Sequence, residues 1–146
     1  MLLAGSLLAR FGRVVMAYPG GDAIGGRPID VHLDGFKKLG SRVKEAGQIE
    51  IAAKQLLGDK IVLRVATVTG TENLILASVL AHGVTQIKLA AMEPHVQELC
   101  RCLGQMGAKI EGVGSNLIVI EGVESLGGCT HRGLPDMIEI GRWMDL

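Results

Sequence analysis

Pro19-Gly20-Gly21-Asp22-Ala23-Ile24-Gly25-Gly26-Arg27-Pro28-Ile29-Asp30 is the stretch on which the reading of this chain turns. It holds four glycines and two prolines in twelve residues, together with two carboxylates and one guanidinium. Glycine reaches positive φ without penalty, and proline fixes φ and donates no backbone hydrogen bond. That density of both rules out helix and ordinary strand, so the stretch reads as a loop between two apolar segments. A long charged loop inside a compact domain is usually functional or disordered. It carries neither the G-x-G-x-x-G spacing nor a Walker lysine, so it is not a nucleotide fingerprint.

Upstream, Met1 to Phe11 is apolar on nearly every face and stops at Gly12, which predicts a helix buried all round. Arg13–Tyr18 reads as a strand. Downstream, Ile29, Leu33, Phe36 and Leu39 form one stripe of a helix over 29–39, closed by Gly40. Val43-Lys44 and Gln48–Ala52 predict a hairpin about Ala46-Gly47, and Ile61–Val65 a further strand. Thr69 and Glu72 have capping-box spacing at the head of a helix with body Asn73–Ala81. That body is apolar almost all round and is expected in the interior. After Gly83 come a strand over Thr85–Ala90 and a helix from Pro94, near N1, to Met106, stopped by Gly107. Lys109-Ile110 and Asn116–Glu121 predict a second hairpin, and Gly127-Gly128 and Pro135 punctuate the end.

The order repeats. Phe36–Val43 corresponds to Leu103–Ile110, an offset of 67 residues between Gly40 and Gly107. Each copy reads buried helix, Gly, strand, amphipathic helix, Leu/Met-Gly, hairpin. A period this long marks stacked supersecondary units and an α/β fold with internal helices.

Composition narrows the function. The chain of 146 residues suits one domain, and at 48% hydrophobic but 3% aromatic its core must be aliphatic. With net charge zero and no basic run, it lacks the clustered cations of a nucleic-acid surface. Met1–Leu8 is too short to span a bilayer and has no charged region before it, and three cysteines fit a reducing compartment; a cytoplasmic location is expected.

The loop, extended to Ala9-Arg10-Phe11-Gly12 before it and Val31-His32 after it, resembles the active-site loop of the UDP-N-acetylglucosamine 1-carboxyvinyltransferase family. The family pattern is P-G-G-C-x-I-G-x-R-P-x-D-x-H, and this chain departs from it by an aspartate at the cysteine position, Asp22. Thr67-Val68-Thr69-Gly70-Thr71-Glu72-Asn73-Leu74 is similar to the family's diphosphate-contacting turn. Leu134-Pro135-Asp136-Met137-Ile138-Glu139 is similar to its crossover into a second domain. The resemblance implies an inside-out α/β barrel built from β-α-β-α-β-β units. About two of the three units of a first domain are expected, over 1–66 and 67–134, with 135–146 as the crossover. The implied reaction is transfer of the enolpyruvyl group from phosphoenolpyruvate to the 3-hydroxyl of UDP-N-acetylglucosamine. The isolated chain, without the family's N-terminal lysine-asparagine pair or its second domain, is expected to be inactive. Exposed apolar surface and self-association are expected of it. A remnant that binds UDP-sugar or serves as an interaction module is the alternative.

For the single residues two readings stand. Asp22 is either a turn aspartate bonding its own backbone or, by the resemblance, the acid that protonates the enolpyruvyl methylene carbon. Arg27 offers a fork matched to phosphate or carboxylate, and the resemblance assigns it to phosphoenolpyruvate. Asp30 and His32 fall in the part that lines the uridine side, with Pro28 and Ile29 beside them as substrate-binding positions and a helix-surface histidine as the other reading of His32. Thr67, Val68 and Thr69 combine hydroxyls with free amides at a helix N-terminus, which serves capping, anion binding or both. Glu93 belongs to the family's R-E-P-E run, here Met92-Glu93-Pro94-His95. Cys100 and Cys102 point to different helix faces, Cys129 reads as a lone thiol, and the histidines show no ligand spacing, so no metal and no cofactor are expected.

Overall fold

A computed structural model describes residues 1–18, 20 and 29–144. Asp22, Arg27 and Pro28 lie outside the described residues. Helix α1 (Ala4–Phe11) and strand β1 (Arg13–Met16) precede the glycine loop, and α2 (Asp30–Lys38) follows it. A hairpin of β2 (Arg42–Glu45) and β3 (Ile49–Ala52) closes the first copy of the repeat. The second copy runs through β4 (Lys60–Val62), α3 (Val68–Ser78), β5 (Val84–Lys88) and α4 (Pro94–Gln105) to a hairpin of β6 (Lys109–Glu111) and β7 (Leu117–Glu121). Helix α5 (Met137–Met144) ends the described chain.

The two sheets are related. One has the order β1-β3-β2 and the other β4-β5-β7-β6, so in both the hairpin's second strand pairs antiparallel with the strand before the amphipathic helix. Only the second carries the added parallel strand β4 beside β5. Gly40 and Gly107, equivalent in the repeat, both sit at positive φ, +89° and +102°, where a side chain would be strained.

Alternation along the strands buries one face of each sheet, through Val14 and Ile51 in the first and Thr85, Ile87, Ile118 and Ile120 in the second. Helices fill the space behind. Helix α3 is the innermost, packed on α1, α2, α4, β5 and β7, with Leu74, Ile75 and Ala77 wholly buried. Its all-round apolar character is thereby explained: there is no solvent side for polar residues to cover.

Helix α1 departs from expectation. It buries only the face of Ala4, Gly5 and Leu8 against α3, while Leu3 is 69% and Phe11 65% exposed. The capping box is also shifted. Thr67, not Thr69, is the N-cap of α3: it has extended φ/ψ, and its hydroxyl accepts from Gly70 N–H at 3.4 Å. Glu72 therefore sits inside the helix rather than closing a box. Helix α5 forms just beyond Pro135, within the stretch 135–146 expected as the crossover.

Candidate functional site

The glycine loop returns to the described chain at Ile29, which is buried, and Asp30 opens α2 with its side chain exposed. A carboxylate in the first turn suits the helix dipole. The N-terminal turn of α3 lies alongside. A Cβ built on Gly70 would stand 2.4 Å from Thr67 Cγ2 and 3.2 Å from Val31 Cγ1, so the turn at Thr67 and the start of α2 meet on that glycine. Thr67 and Val68 are half-buried and Thr69 is exposed.

Thr71 joins the third segment. Its hydroxyl donates to the Thr67 carbonyl at 2.7 Å and accepts from Ala91 N–H at 3.0 Å. The strand end before Met92-Glu93 is thereby held to the head of α3. Glu93 is the exposed N-cap of α4, its carbonyl accepting from Val96 N–H and Gln97 N–H. The structure thus brings three of the predicted segments together: Ile29-Asp30, Thr67–Thr69 and Glu93, each at a helix N-terminus. Free amides at such ends favour anions.

His32 is not a surface histidine. It is buried, and Asn73 holds it. Asn73 Nδ2 donates to His32 Nδ1 at 3.0 Å and to the Met1 carbonyl at 3.0 Å, while its Oδ1 accepts from Gly5 N–H at 2.6 Å. The Gly5 contact fixes which way the amide points. His32 Nδ1 is then an acceptor and a ring proton belongs on Nε2. Burial lowers the His32 pKa, so the neutral ring is favoured.

Glu72 and Asn73 have surroundings in this neighbourhood that the capping-box spacing and the turn resemblance do not show. Asn73 occupies the apolar body of a helix, and its role appears only once α1 crosses α3. Glu72 is pushed up chiefly by burial, with His95 lowering and Glu93 raising it, which places it in the electrostatic field of the Glu93 segment. A groove of about 460 Å³ runs beside α2 and the end of β4, from Val31 past Asp34 and Lys38. An Arg64–Asp34 ion pair of 2.8 Å bounds it, and none of the predicted site residues among the described ones lines it.

The profile of the family EPSP synthase (3-phosphoshikimate 1-carboxyvinyltransferase) matches residues 2–145, and the chain belongs to that family. Among curated relatives it is 51% identical over 142 residues to UDP-N-acetylglucosamine 1-carboxyvinyltransferase of Dichelobacter nodosus, covering 97% of this chain and 34% of that protein. It is 51% identical over 146 residues to the protein of the same name from Treponema denticola, covering 100% of this chain and 34% of the relative. The chain spans about a third of the length of these relatives. In fold it is similar to the enolpyruvyl transferase NikO from Streptomyces tendae, with a TM-score of 0.78 at 24% identity over 97% of this chain and 34% of that one. EPSP synthase from Acinetobacter baumannii follows at a TM-score of 0.64 and 21% identity, covering 87% of this chain and 30% of that one. The α/β architecture with internal helices is that of these transferases.

Proposed function

We propose that this chain serves the transfer of the enolpyruvyl group from phosphoenolpyruvate to the 3-hydroxyl of UDP-N-acetylglucosamine, with release of phosphate. That reaction is the first committed step of peptidoglycan precursor synthesis and belongs to the cytoplasm. The observation that carries the reading is identity of about half the residues, along the whole chain, to relatives named for that activity.

In this reading the sugar hydroxyl gives its proton to a general base of the second domain and adds to C2 of the enolpyruvyl group, while Asp22, protonated, delivers a proton to the methylene carbon. Elimination then breaks the C–O bond to phosphate and removes a proton from the new methyl group. Arg27 holds the phosphoenolpyruvate. Asp30 and His32 lie on the uridine side, Thr67, Val68 and Thr69 line the diphosphate side, and Pro28, Ile29 and Glu93 are further substrate-binding positions. The approach of the Thr67 turn to the start of α2, and the Thr71 tie to Ala91, support this, because a helix N-terminus suits a negatively charged diphosphate. No metal or cofactor is required by these steps.

The test is a chimera. Residues 1–146 replace the matching segment of the Dichelobacter nodosus relative, and phosphate release is measured. Release that depends on both substrates is expected. A chimera that folds and binds UDP-N-acetylglucosamine but releases no phosphate would leave the non-catalytic binding reading in its place.

A further inference from the structure

Outside the candidate site, the connector between β7 and α5 has no regular structure, yet it is held to one face of α4. Glu98, Cys102 and Gln105 are spaced four and three residues apart, so they form a single stripe on that helix. His131 of the connector reaches Glu98 Oε1 through Nε2 at 2.7 Å and Gln105 Oε1 through Nδ1 at 3.3 Å. Gly127 N–H donates to the Met106 carbonyl at 2.8 Å. Between these tethers Cys129 meets the middle of the stripe, with Cys129 Sγ 3.7 Å from Cys102 Sγ. The thiol that reads as solitary in the sequence is in contact with another 27 residues away.

We propose that Cys102 and Cys129 form a reversible intramolecular disulfide that pins this connector to helix α4. Bonded sulfurs lie about 2 Å apart, so closure needs a movement of under about 2 Å, which rotation of the exposed Cys129 side chain and a small shift of its exposed segment supply. Cys102 is half-buried and Cys129 exposed, so a small oxidant reaches Cys129 first. Cys100 takes no part: it is buried, on another face of α4, and burial pushes its thiol up to about 11.

The oxidant is a low-molecular-weight disulfide such as oxidised glutathione. The Cys129 thiolate attacks one of its sulfurs, the S–S bond breaks, and one glutathione thiol leaves. Cys102, after losing its proton, attacks Cys129 Sγ and expels the second glutathione thiol. Two protein thiols are thereby oxidised by two electrons, and one glutathione disulfide is reduced to two thiols.

The connector leads directly into α5. Leu134, Pro135, Met137 and Ile140 line a groove with Pro94, His95 and Glu98 at the head of α4. Oxidation therefore fixes the path by which the chain leaves the second repeat, and reduction leaves it held by the weaker polar tethers.

The 146-residue chain, equilibrated in glutathione buffers from reduced to oxidised and then alkylated, tests this. In oxidised buffer a mass loss of about 2 Da, a Cys102–Cys129 linked peptide and, once the chain is denatured for alkylation, labelling of Cys100 alone are expected. The melting temperature should rise by on the order of 5–10 °C. Cys102→Ser and Cys129→Ser should each lose the link and the shift, and Cys100→Ala should keep both. The peptide map of the unsubstituted chain decides the pairing even if a variant folds poorly. Glutathione adducts or free thiols throughout the range, a link through Cys100, or an oxidised form that melts no higher than the reduced one would overturn the proposal.

Discussion

A carboxyl at position 22 does different chemistry from the thiol the family pattern places there. Toward the epoxide of fosfomycin a carboxylate is a much poorer nucleophile than a thiolate. In the chimera, Asp22 should therefore confer insensitivity and Asp22→Cys should create sensitivity. The acid must be protonated when it acts, and unperturbed aspartate and cysteine titrate near about 3.9 and about 8.5. Activity of the aspartate form should fall with rising pH at a lower pH than that of the Asp22→Cys form. Coincident profiles, or near-normal turnover in Asp22→Ala, would reduce Asp22 to a turn former. His32 makes a second prediction at this scale. Its folded pKa is lowered from 6.5 by burial, so below that pH the unfolded chain binds more protons than the folded one. Stability from this group is fully present above pH 6.5 and is lost as pH falls through the folded pKa. Urea midpoints measured from pH 7.5 down to 5 should show the loss. His32→Asn, which cannot titrate, should show a shallower slope whatever its absolute stability.

Helix α1 and helix α3 show how elements are joined. The second residue of α1, Gly5, has an amide with no partner in its own helix, as every helix start does. Asn73 supplies the acceptor from the neighbouring helix, and a Cβ on Gly5 would fall 2.1 Å from the Asn73 carbonyl oxygen. Both ends of that contact are constrained. Asn73→Ala should cost about 3 kcal/mol, because it strands the buried Gly5 N–H and the His32 acceptor together. Gly5→Ala should cost about as much through backbone displacement, since the clashing atom is not a flexible side-chain tip. Chemical denaturation of each variant checks the pair. At the end of β5, Leu89 has φ +60°, the only non-glycine residue at positive φ among those described. A left-handed conformation costs an ordinary side chain about 1–2 kcal/mol, which asparagine partly escapes. Leu89→Asn is expected to stabilise the chain by about 1 kcal/mol. A variant less stable than the parent would show that the leucine side chain contributes more by packing than its backbone loses.

Among the described residues, large apolar side chains are left uncovered near both ends of the chain and at points between, such as Val62 and Val65. Leu3 and Phe11 of the first helical segment are exposed, as are Trp143 at 71% and Met144 at 81% in α5. Surface of this kind drives association. Sedimentation of the 146-residue chain should therefore show concentration-dependent oligomers, with binding of a hydrophobic dye. A monodisperse monomer that binds no dye would mean that these side chains fold back on the chain in solution. The two copies of the repeat give the molecule its form, since each hairpin pairs with the strand ahead of the amphipathic helix. The copies differ most where the first carries the glycine loop and the second carries Met92-Glu93-Pro94. Both stretches lie between a strand and the amphipathic helix after it, so equivalent positions in the repeat hold the loop and the Glu93 segment of the candidate site.

The order of elements as far as β7, the repeat, the interior placement of α3 and the resemblance of the loop were all legible in the sequence. Each rests on local rules: glycine and proline at element ends, hydrophobic periodicity, and residue types in a short fixed pattern. The same rules located Asp30, Thr67–Thr69 and Glu93 at helix N-termini without saying that these ends meet. The tertiary structure alone decided that Thr67 caps α3, that Asn73 serves α1 and His32, that α1 buries only one face, and that Cys129 touches Cys102. The Thr67 cap depends on where the turn before α3 becomes extended, which hydrophobic periodicity does not register. The others depend on partners tens of residues apart in sequence, 68 for Gly5 and Asn73 and 27 for the two thiols. A side chain's partners at that separation follow from how helices cross and how a connector lies on a helix face, and no local pattern in the chain encodes either.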